Sequence, residues 1–403
     1  MAQSSYDVVI VGGGLGGATL GRSLASEGIR TLVIEREAVF KDRVRGEGMH
    51  PWGVAEARAL HIDGLMRDSG AHEVRWWKRY FGPVPRDCRD LVETTSAHCG
   101  CLNFHHPSMQ RTLLDAAEAA GAIVRRDTAV VGVVPGDPPA VRIRTAHGEE
   151  HVSARLVVGA DGRRSMVRGW AGFIVNQDPP RLVIAGVLHD GLGAPEDAVQ
   201  YFQNPSCGMG ALIFPIGQQR FRSYAISGAS QRRSLSGSRH IADFVDACIT
   251  TGVPRDWYLG ASVAGPLAAY PGADCWVDHP YRDGVALIGD AAAASDPSWG
   301  CGLSLTLRDV RVLRDCLLGT DDWQAAAHSY AQQHDRYYLA LHRVEDWLTQ
   351  LLYETGPMAD ARRARVLPHW ANERDRVPDL PGLGPDTPSD EAARRRFFAE
   401  DVD

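Results

Sequence analysis

The sequence predicts an α/β fold with three parts: a Rossmann-like dinucleotide-binding domain, an inserted, mostly antiparallel β-sheet domain, and C-terminal helices. Three observations support this prediction. A strand, a glycine turn, a helix and a second strand open the chain, short strands fill residues 173–283, and long helical stretches follow residue 302. Alternating strands and helices are typical of a parallel sheet covered by helices, whereas consecutive short strands are typical of an antiparallel sheet.

The first strand and its turn form a dinucleotide fingerprint. The strand ends at Val11, and Gly12, Gly14 and Gly17 then fit G-x-G-x-x-G ahead of a helix. These glycines allow a tight turn, close approach of a pyrophosphate, and packing of helix on strand. The helix N-terminus also offers free N–H groups to phosphate. The second strand ends at Glu35, 18 residues after Gly17, where a carboxylate would accept ribose hydroxyls. The residues expected beside the dinucleotide also include Leu15, Gly16 and Arg36.

Helices and strands continue to alternate up to residue 172. In order, the patterns predict a helix after Pro51, a strand at 74–81, a loop at 82–90, a helix at 105–121, and strands at 123–125, 129–134, 140–145, 151–154 and 156–160. The helices are expected from apolar residues at helical spacing and from the proline and glycine at their ends.

Strands dominate the next hundred residues and helices the remainder. The patterns predict strands at 182–189, 198–202, 210–215 and 221–227, a helix at 241–250, a strand at 285–288, helices at 303–318 and 322–353, a proline-rich loop or partly ordered tail at 368–388, and a short helix at 391–400. We assign to the dinucleotide-binding domain residues 1–72, 98–172 and 284–350, to the β-sheet domain residues 73–97 and 173–283, and to a tail of helix and loop residues 351–403.

Composition excludes several classes of protein. The chain of 403 residues has 44% hydrophobic and 23% charged residues, which is ordinary for a globular protein, and its net charge of −7 does not suggest a nucleic-acid surface. No apolar run is long enough to span a membrane, and the N-terminus has no signal-peptide pattern. The eight scattered cysteines show no zinc spacing. We expect free thiols, no metal, a cytoplasmic location, and a monomer or homodimer.

Three separated stretches carry a resemblance to a known family. They are the glycine fingerprint, the segment Gly159-Ala160-Asp161-Gly162-Arg163-Arg164-Ser165, and the segment Gly289-Asp290-Ala291-Ala292 with Pro297 and Gly300-Cys301-Gly302. Together they resemble the single-component FAD-dependent monooxygenases of the p-hydroxybenzoate hydroxylase type. The resemblance runs from residue 1 to about residue 345, and the order and separation of the three motifs make it specific.

The resemblance implies a set of FAD contacts. Asp290 would accept a hydrogen bond from a flavin ribityl hydroxyl, and Pro297 would stiffen the loop beneath the ring. The helix that follows would direct its N–H groups at the flavin pyrimidine edge, where reduced flavin is anionic. Further expected contacts come from Arg45, Arg111, Asp161, Gly162, Gly300, Cys301, Gly302 and Leu303. Two positions depart from the family: Ala293 stands where many members have His, and Ser304 where many have Asn.

The resemblance also implies a reaction. NAD(P)H would reduce FAD, and a flavin C4a-hydroperoxide would hydroxylate an aromatic or other electron-rich small molecule with dioxygen. Because no second fingerprint is present, NAD(P)H would dock only transiently, with Arg43, Arg163 and Arg164 as possible phosphate contacts. The expected substrate contacts on the β-sheet and the flavin loop are Tyr201, Met209, Leu212, Phe214, Tyr224 and Trp299, with Trp76, Trp77 and Tyr80 opposite.

The sequence names no general base. His50, His105 and His106 are the nearest acid–base candidates, and His50, Lys78 and Trp299 are the catalytic candidates. Two alternatives stay open. Gly46-Glu47, Pro51 and Lys78 faintly resemble FAD-dependent halogenases, in which a lysine faces the substrate. The departures at Ala293 and Ser304 fit a flavin- or ligand-binding protein without oxygenase turnover.

Overall fold

A computed structural model describes residues 6–145, 148–229 and 235–402. Its helices are numbered in chain order. They are α1 Leu15–Ser26, α2 Pro51–Ala59, α3 Asp63–Asp68, α4 Leu91–Thr94, α5 His106–Ala119, α6 Met166–Trp170, α7 Ile241–Thr250, α8 Gly302–Leu318, α9 Trp323–Leu352, α10 Pro357–Asn372 and α11 Glu391–Phe397.

The strands are numbered in the same way. Those of the first half are β1 Tyr6–Val11, β2 Thr31–Ile34, β3 Gly48–Met49, β4 His72–Val74, β5 Trp76–Phe81, β6 Val84–Asp90, β7 Cys101–Asn103, β8 Ile123–Arg125, β9 Val130–Val134, β10 Ala140–Thr145 and β11 Gly148–Gly159. Those of the second half are β12 Asn176–Gln177, β13 Leu182–Asp190, β14 Ala198–Asn204, β15 Met209–Pro215, β16 Arg220–Gly228, β17 Ser262–Val263, β18 Ala268–Gly272, β19 Cys275–Trp276, β20 Tyr281–Arg282, β21 Val285–Leu287 and β22 Ala293–Ala294.

A mostly parallel sheet forms the first layer. Its strand order is β20-β21-β11-β1-β2-β8, and β9 and β10 extend it as antiparallel strands beside β11. Strand β1 pairs in parallel with both β2 and β11, so the carboxyl ends of these strands share one edge. Val8, Val9 and Ile10 are fully buried because helices cover the sheet, as near-continuous apolar strands require. Ligands of such sheets bind beyond this carboxyl edge.

The second sheet is mixed but mostly antiparallel. Its order is β17-β13-β16-β15-β14-β5-β6, with β18 on β13. Among the described strands of this sheet, only β14 and β5 pair in parallel. Through this pairing, residues 76–90 join strands that lie more than a hundred residues later in the chain. One face packs on α7 around Phe202 and Phe244. The opposite face turns toward the first sheet.

The predicted α/β fold, with its Rossmann-like unit, antiparallel sheet and C-terminal helices, is confirmed. Three local expectations were wrong. Residues 84–90 form β6 rather than a loop, because backbone pairing with β5 compensates for weak strand propensity. The strands expected at 151–154 and 156–160 are one strand, β11. Helix α10 was not expected, and it accommodates Pro368 in its last turns.

Candidate functional site

One large cavity lies between the two sheets. Its volume is about 1680 Å³. The glycine turn, the loop after β21 and the N-terminus of α8 line one end, and β5, β14, β15 and residues 347–397 line the other. The three sequence motifs that are far apart in the chain therefore meet at one cavity.

The glycine turn leaves room for a ligand and none for side chains. A Cβ on Gly17 would lie 1.9 Å from the backbone oxygen of Gly12, and Gly12 itself has a φ of +108°. Helix α1 begins after Gly14, and no side chain caps its first N–H groups. Gly14, Leu15 and Gly16 line the cavity. These uncapped donors fit a pyrophosphate.

Glu35 is buried at the end of β2, and backbone groups already bind its carboxylate. Oε2 accepts the N–H of Gly13 at 2.8 Å and Oε1 accepts that of Glu37 at 2.8 Å. The carboxylate therefore holds the turn in shape. Arg36 lines the cavity, whereas Glu35, Gly12 and Gly17 lie behind its wall.

The turn after β11 is held by its own acid. Asp161 accepts the Ser165 hydroxyl at 2.6 Å and the Met166 N–H at 2.7 Å, so its carboxylate caps α6. Gly162 has a φ of +81°, a conformation that favours glycine. Both residues line the cavity together with Arg45.

The loop after β21 brings a second helix N-terminus to the cavity. Asp290, Pro297, Gly300 and Gly302 line it. Burial raises the pKa of Asp290, and Arg163 and Arg45 oppose that shift. Helix α8 has no side-chain cap. The carboxyl of Asp290 and the free N–H groups of α8 lie at one place in the cavity, and the uncapped N-terminus of α1 lies opposite. The two groups of donors fit the two ends of FAD.

Leu303 of α8 also lines this end, whereas Ala293, Cys301 and Ser304 lie behind the wall. Cys301 is fully buried. The departures Ala293 and Ser304 are buried too, and the Ser304 hydroxyl has no hydrogen-bond partner. These two departures therefore act on the packing beneath the loop.

The expected contact from Arg111 is wrong in position. Arg111 lies on the exposed face of α5 and is not part of the cavity wall. One residue earlier on the same helix, Gln110 is buried and lines the cavity, with its Nε2 facing Gly14. Neighbouring residues of an α-helix point in directions about 100° apart. Because Gln110 faces the cavity, Arg111 points away from it.

Tyr201, Leu212, Phe214 and Tyr224 line the cavity, and Trp77 joins them. Their contact with a substrate stays a prediction. The ring centroid of Trp77 lies 6.4 Å from those of both Tyr201 and Phe214. The same strands therefore present an aromatic wall to the cavity.

Met209 does not face the cavity, contrary to expectation, because it packs on the α7 side of the sheet. Met209 and Leu212 are three positions apart, and residues an odd number of positions apart in a strand point to opposite faces of the sheet. Trp76, Lys78 and Tyr80 likewise alternate with Trp77 and are not part of the wall. Tyr80 stacks on Phe202, 4.3 Å between ring centroids, on that far side.

His50 and Trp299 meet in the cavity wall. Nε2 of His50 donates to the carbonyl of Trp299 at 3.2 Å, since a carbonyl can only accept. Burial lowers the pKa of His50, and its Nδ1 has no hydrogen-bond partner among the described residues. The Trp299 indole donates to Thr349 at 3.1 Å.

The other two histidines have different surroundings. Burial lowers the pKa of His106 to about 4, and its Nδ1 lies 2.9 Å from the carbonyl of Gly46 at the cavity wall. His105 pairs with Ser108 and is not part of the wall. His50 is therefore the acid–base candidate best placed in the cavity.

A carboxylate that sequence reasoning did not select lies in the same wall. Glu47 is fully buried and accepts a short hydrogen bond from the Tyr224 hydroxyl. Arg222, also fully buried, approaches Glu47 Oε1 at 3.0 Å and pairs with Asp42 at 2.8 Å. Burial raises the pKa of Glu47 to about 7, although Arg222 opposes that rise. Two local signals pointed to Glu47, its place between two glycines just before α2 and the faint halogenase resemblance of Gly46-Glu47, but neither gave it a role in the cavity.

Among the described residues, one group offers metal-ligand geometry away from this cavity. Ligand atoms of Asp178, Asp274 and His342 lie within 4.8 Å of one another. His342 Nε2 is 2.7 Å from Asp178, and Tyr338 donates to Asp274 at 2.8 Å, so these groups already satisfy each other. The absence of a metal stays a prediction.

Two expectations about the chain as a whole can be compared with the structure. All eight cysteines are free thiols, as expected. Within the described ranges, no helix is long and apolar enough to cross a membrane.

Relatives of this chain include two enzymes of known name. The chain is 25% identical to squalene epoxidase 3 of Arabidopsis thaliana over 320 residues, which is 78% of this chain and 60% of that protein. It is 26% identical to the rifampicin monooxygenase of Streptomyces venezuelae over 397 residues, 91% of this chain and 76% of the relative. The chain thus spans only about 60% of the squalene epoxidase.

Solved structures share the fold. p-Nitrophenol 4-monooxygenase PnpA of Pseudomonas putida has a TM-score of 0.78 at 17% identity, covering 98% of this chain and 97% of that one. The flavin-dependent brominase Bmp2 has a TM-score of 0.77 at 14% identity, covering 98% of both chains. PqsL of P. aeruginosa has a TM-score of 0.73 at 20% identity, covering 87% of this chain and 97% of PqsL.

A sequence model of the FAD binding domain family matches residues 5–320, which is most of the chain. The match spans the glycine turn, the turn after β11 and the loop after β21, the same elements that meet at the cavity. FAD is therefore the cofactor of this chain, and the expected resemblance to FAD-dependent monooxygenases is confirmed. The individual FAD contacts stay predictions. The chain belongs to the FAD binding domain family.

Proposed function

We propose that this protein is an FAD- and NAD(P)H-dependent monooxygenase that hydroxylates an aromatic or other electron-rich small molecule. The observation that carries the proposal is the shared cavity: two uncapped helix N-termini for FAD open onto the aromatic wall of the second sheet. Bound FAD, reduced by NAD(P)H, would supply the activation of dioxygen. The names of the squalene epoxidase and the rifampicin monooxygenase support an oxygenase.

The residues of the chain then have definite tasks. Arg36 and Arg45 line the FAD end, where they would pair with phosphate. Trp77, Tyr201 and Phe214 would hold an apolar substrate against the flavin and exclude water. His50 offers an unpaired ring nitrogen to a substrate hydroxyl. NAD(P)H would dock transiently near Arg43, Arg163 and Arg164, which also line the cavity.

The halogenase alternative lacks its central residue in the cavity. Lys78 lies on β5 between two cavity-facing residues, Trp77 and Arg79, and is not part of the wall. A lysine on the opposite face of a strand cannot relay an oxidant to a substrate in this cavity. Monooxygenation needs no such lysine.

The proposal is tested by anaerobic mixing of the FAD-loaded protein with NADPH or NADH in the presence of candidate substrates. We expect at least one substrate to accelerate bleaching of the flavin absorbance. Readmission of ¹⁸O₂ should then give a product that carries one labelled oxygen. If the flavin never bleaches with any candidate, the monooxygenase proposal fails. A bromide-containing reaction with a separate flavin reductase that yields a brominated product would instead favour halogenation.

A further inference from the structure

The cavity is larger than its cofactor requires. Pockets for one ligand typically have volumes of roughly 300–1,000 Å³. The cavity of about 1680 Å³ therefore leaves several hundred Å³ beyond an FAD site at the upper end of that range. We call this remainder the distal chamber: the part lined by β5, β14 and β15 and by residues 347–397.

The walls of the distal chamber are mainly apolar on both sides. The sheet contributes Trp77 and Leu212, and the C-terminal residues contribute Leu348, Leu380 and Phe397. All five are less than 9% exposed, so they are fixed by packing. The hydroxyls of Tyr201 and Tyr353 lie 2.8 Å apart and join the sheet to the end of α9. The two walls therefore enclose one space.

Most charged side chains around the distal chamber, including those of the adjacent β6, form ion pairs. Arg86 and Arg374 also line the cavity, make no ion pair with a described residue and are exposed to solvent. Arg89 of β6 makes two hydrogen bonds to Asp379, at 2.5 and 2.9 Å, which ties the sheet to the C-terminal residues. Further ion pairs join Arg79 to Asp87, Arg396 to Asp375, and Arg376 to Asp401. A charged ligand group held in the buried part of the chamber, among these pairs, would have to break one of them or be buried unpaired, which is unfavourable.

Two side-chain N–H donors lack a hydrogen bond of ordinary geometry. Nε2 of Gln203 on β14 makes no such bond, although the Gln203 amide interacts with the Tyr201 hydroxyl and opposes the rise of its pKa, and Nε1 of Trp370 on α10 makes none either. Both residues line the distal chamber. A buried donor without an acceptor is costly, and a carbonyl or hydroxyl oxygen on a ligand would satisfy it.

We infer that the substrate is a bulky, uncharged and mostly apolar molecule of several rings, or of comparable chain length, that carries oxygen acceptors. Its reacting part lies near the flavin and its remainder fills the distal chamber. This inference rests on the proposed function, and it excludes small anionic phenols as the preferred substrates. The oxygen acceptors meet Gln203 and Trp370, and the apolar body contacts the leucine and aromatic walls.

The test measures binding without turnover. The FAD-loaded protein is titrated, without NAD(P)H, with progesterone, emodin and farnesol as bulky probes and with 4-hydroxyacetophenone and 4-hydroxybenzoate as single-ring probes. Perturbation of the flavin absorbance and a thermal shift report binding. We expect at least one bulky neutral probe to bind at least tenfold more tightly than both single-ring probes. Pregnenolone sulfate should bind at least tenfold more weakly than pregnenolone, because the same steroid body then carries an anionic sulfate group.

A pair of matched variants locates the bound probe. Leu383→Glu places a charge on the chamber wall at a position that is already 39% exposed, and Leu339→Glu makes the same change on α9 at 43% exposure, outside the wall. We expect Leu383→Glu to weaken the tightest bulky probe at least tenfold without changing 4-hydroxyacetophenone binding or FAD content. Leu339→Glu should change none of these.

The results separate this inference from the proposed function. If single-ring probes bind as tightly as every bulky probe, or if both variants affect the bulky probe equally, the substrate class is wrong. Because these measurements involve no reduction of flavin, a failure of NAD(P)H to bleach FAD would refute the monooxygenase proposal while leaving the binding result intact.

Discussion

The fully buried carboxyl of Glu47 makes the stability of the protein depend on pH. Its pKa is raised from 4.5 to about 7. Below pH 4.5 the carboxyl is protonated in both the folded and the unfolded chain, so it contributes no difference. Between pH 4.5 and 7 the unfolded chain ionises first, and the folded state is progressively disfavoured. Since one pKa unit corresponds to 1.36 kcal/mol, the full loss above pH 7 is about 3 kcal/mol.

The substitution Glu47→Gln removes this titration and keeps the shape of the side chain. We expect the wild type to lose about 2–3 kcal/mol relative to Glu47→Gln between pH 5 and pH 8, because part of the full loss has already occurred at pH 5. The assay is equilibrium urea denaturation of both proteins at saturating FAD across this range. Tyr224→Phe removes a hydrogen bond that lowers the pKa of Glu47, so it should move the wild-type transition to higher pH.

Free energies of unfolding of wild type and Glu47→Gln that run parallel from pH 5 to pH 8 would show that the pKa of Glu47 is not raised in the folded protein. Glu27→Gln, at an exposed position at the end of α1, is the matched control and should follow the wild-type curve. The acid with which Arg222 also pairs, Asp42, has a lowered pKa, so its titration falls below this range.

Three further predictions concern the cofactor site and its supports. Gly17→Ala places a Cβ 1.9 Å from a backbone oxygen, and we expect FAD affinity to fall at least about tenfold, measured by fluorescence titration. Phe397→Ala empties a fully buried position on α11, and urea denaturation should show a loss of about 3–5 kcal/mol. In Asp309→Asn a single amide oxygen must accept the hydrogen bonds that two carboxylate oxygens of Asp309 accept in the wild type. We expect the free energy of unfolding to fall by about 1–3 kcal/mol in the same assay.

Each of these predictions has a contrary outcome. Gly64→Ala adds a Cβ in open space and should keep full FAD affinity, so equal losses in both glycine variants would remove the steric argument. Asp315→Asn, an exposed change on the same helix as Asp309, should cost little. An unchanged free energy of unfolding for Phe397→Ala would show that the C-terminal residues do not stabilise the fold.

Short-range patterns carried most of the fold prediction. Strand, glycine turn, helix and acid occur within thirty residues, so Gly12 to Glu35 could be interpreted from local spacing alone. Strand β6 was missed because its residues have weak strand propensity, and its partner β5 supplies the pairing. Helix α10 was missed because Pro368 falls in its last turns, where the loss of one backbone donor is tolerated.

Strand alternation also limited the site prediction. It determines that Leu212 and Phe214 share one face and that Met209 lies on the other, but not which face meets the cavity. The same uncertainty applied to Lys78 beside Trp77. Packing of α7 on one side of the sheet decided both cases.

The sequence by itself determined the α/β fold and the dinucleotide fingerprint, because these depend on residues close together in the chain, and its separated motifs together indicated FAD. Only the tertiary structure brought Glu47 to Tyr224 and Arg222, nearly 180 residues away, and closed the cavity with the C-terminal residues. Burial and through-space charge set the pKa of Glu47 and the size of the distal chamber. Neither quantity is a property of local sequence, since both depend on which distant elements pack together.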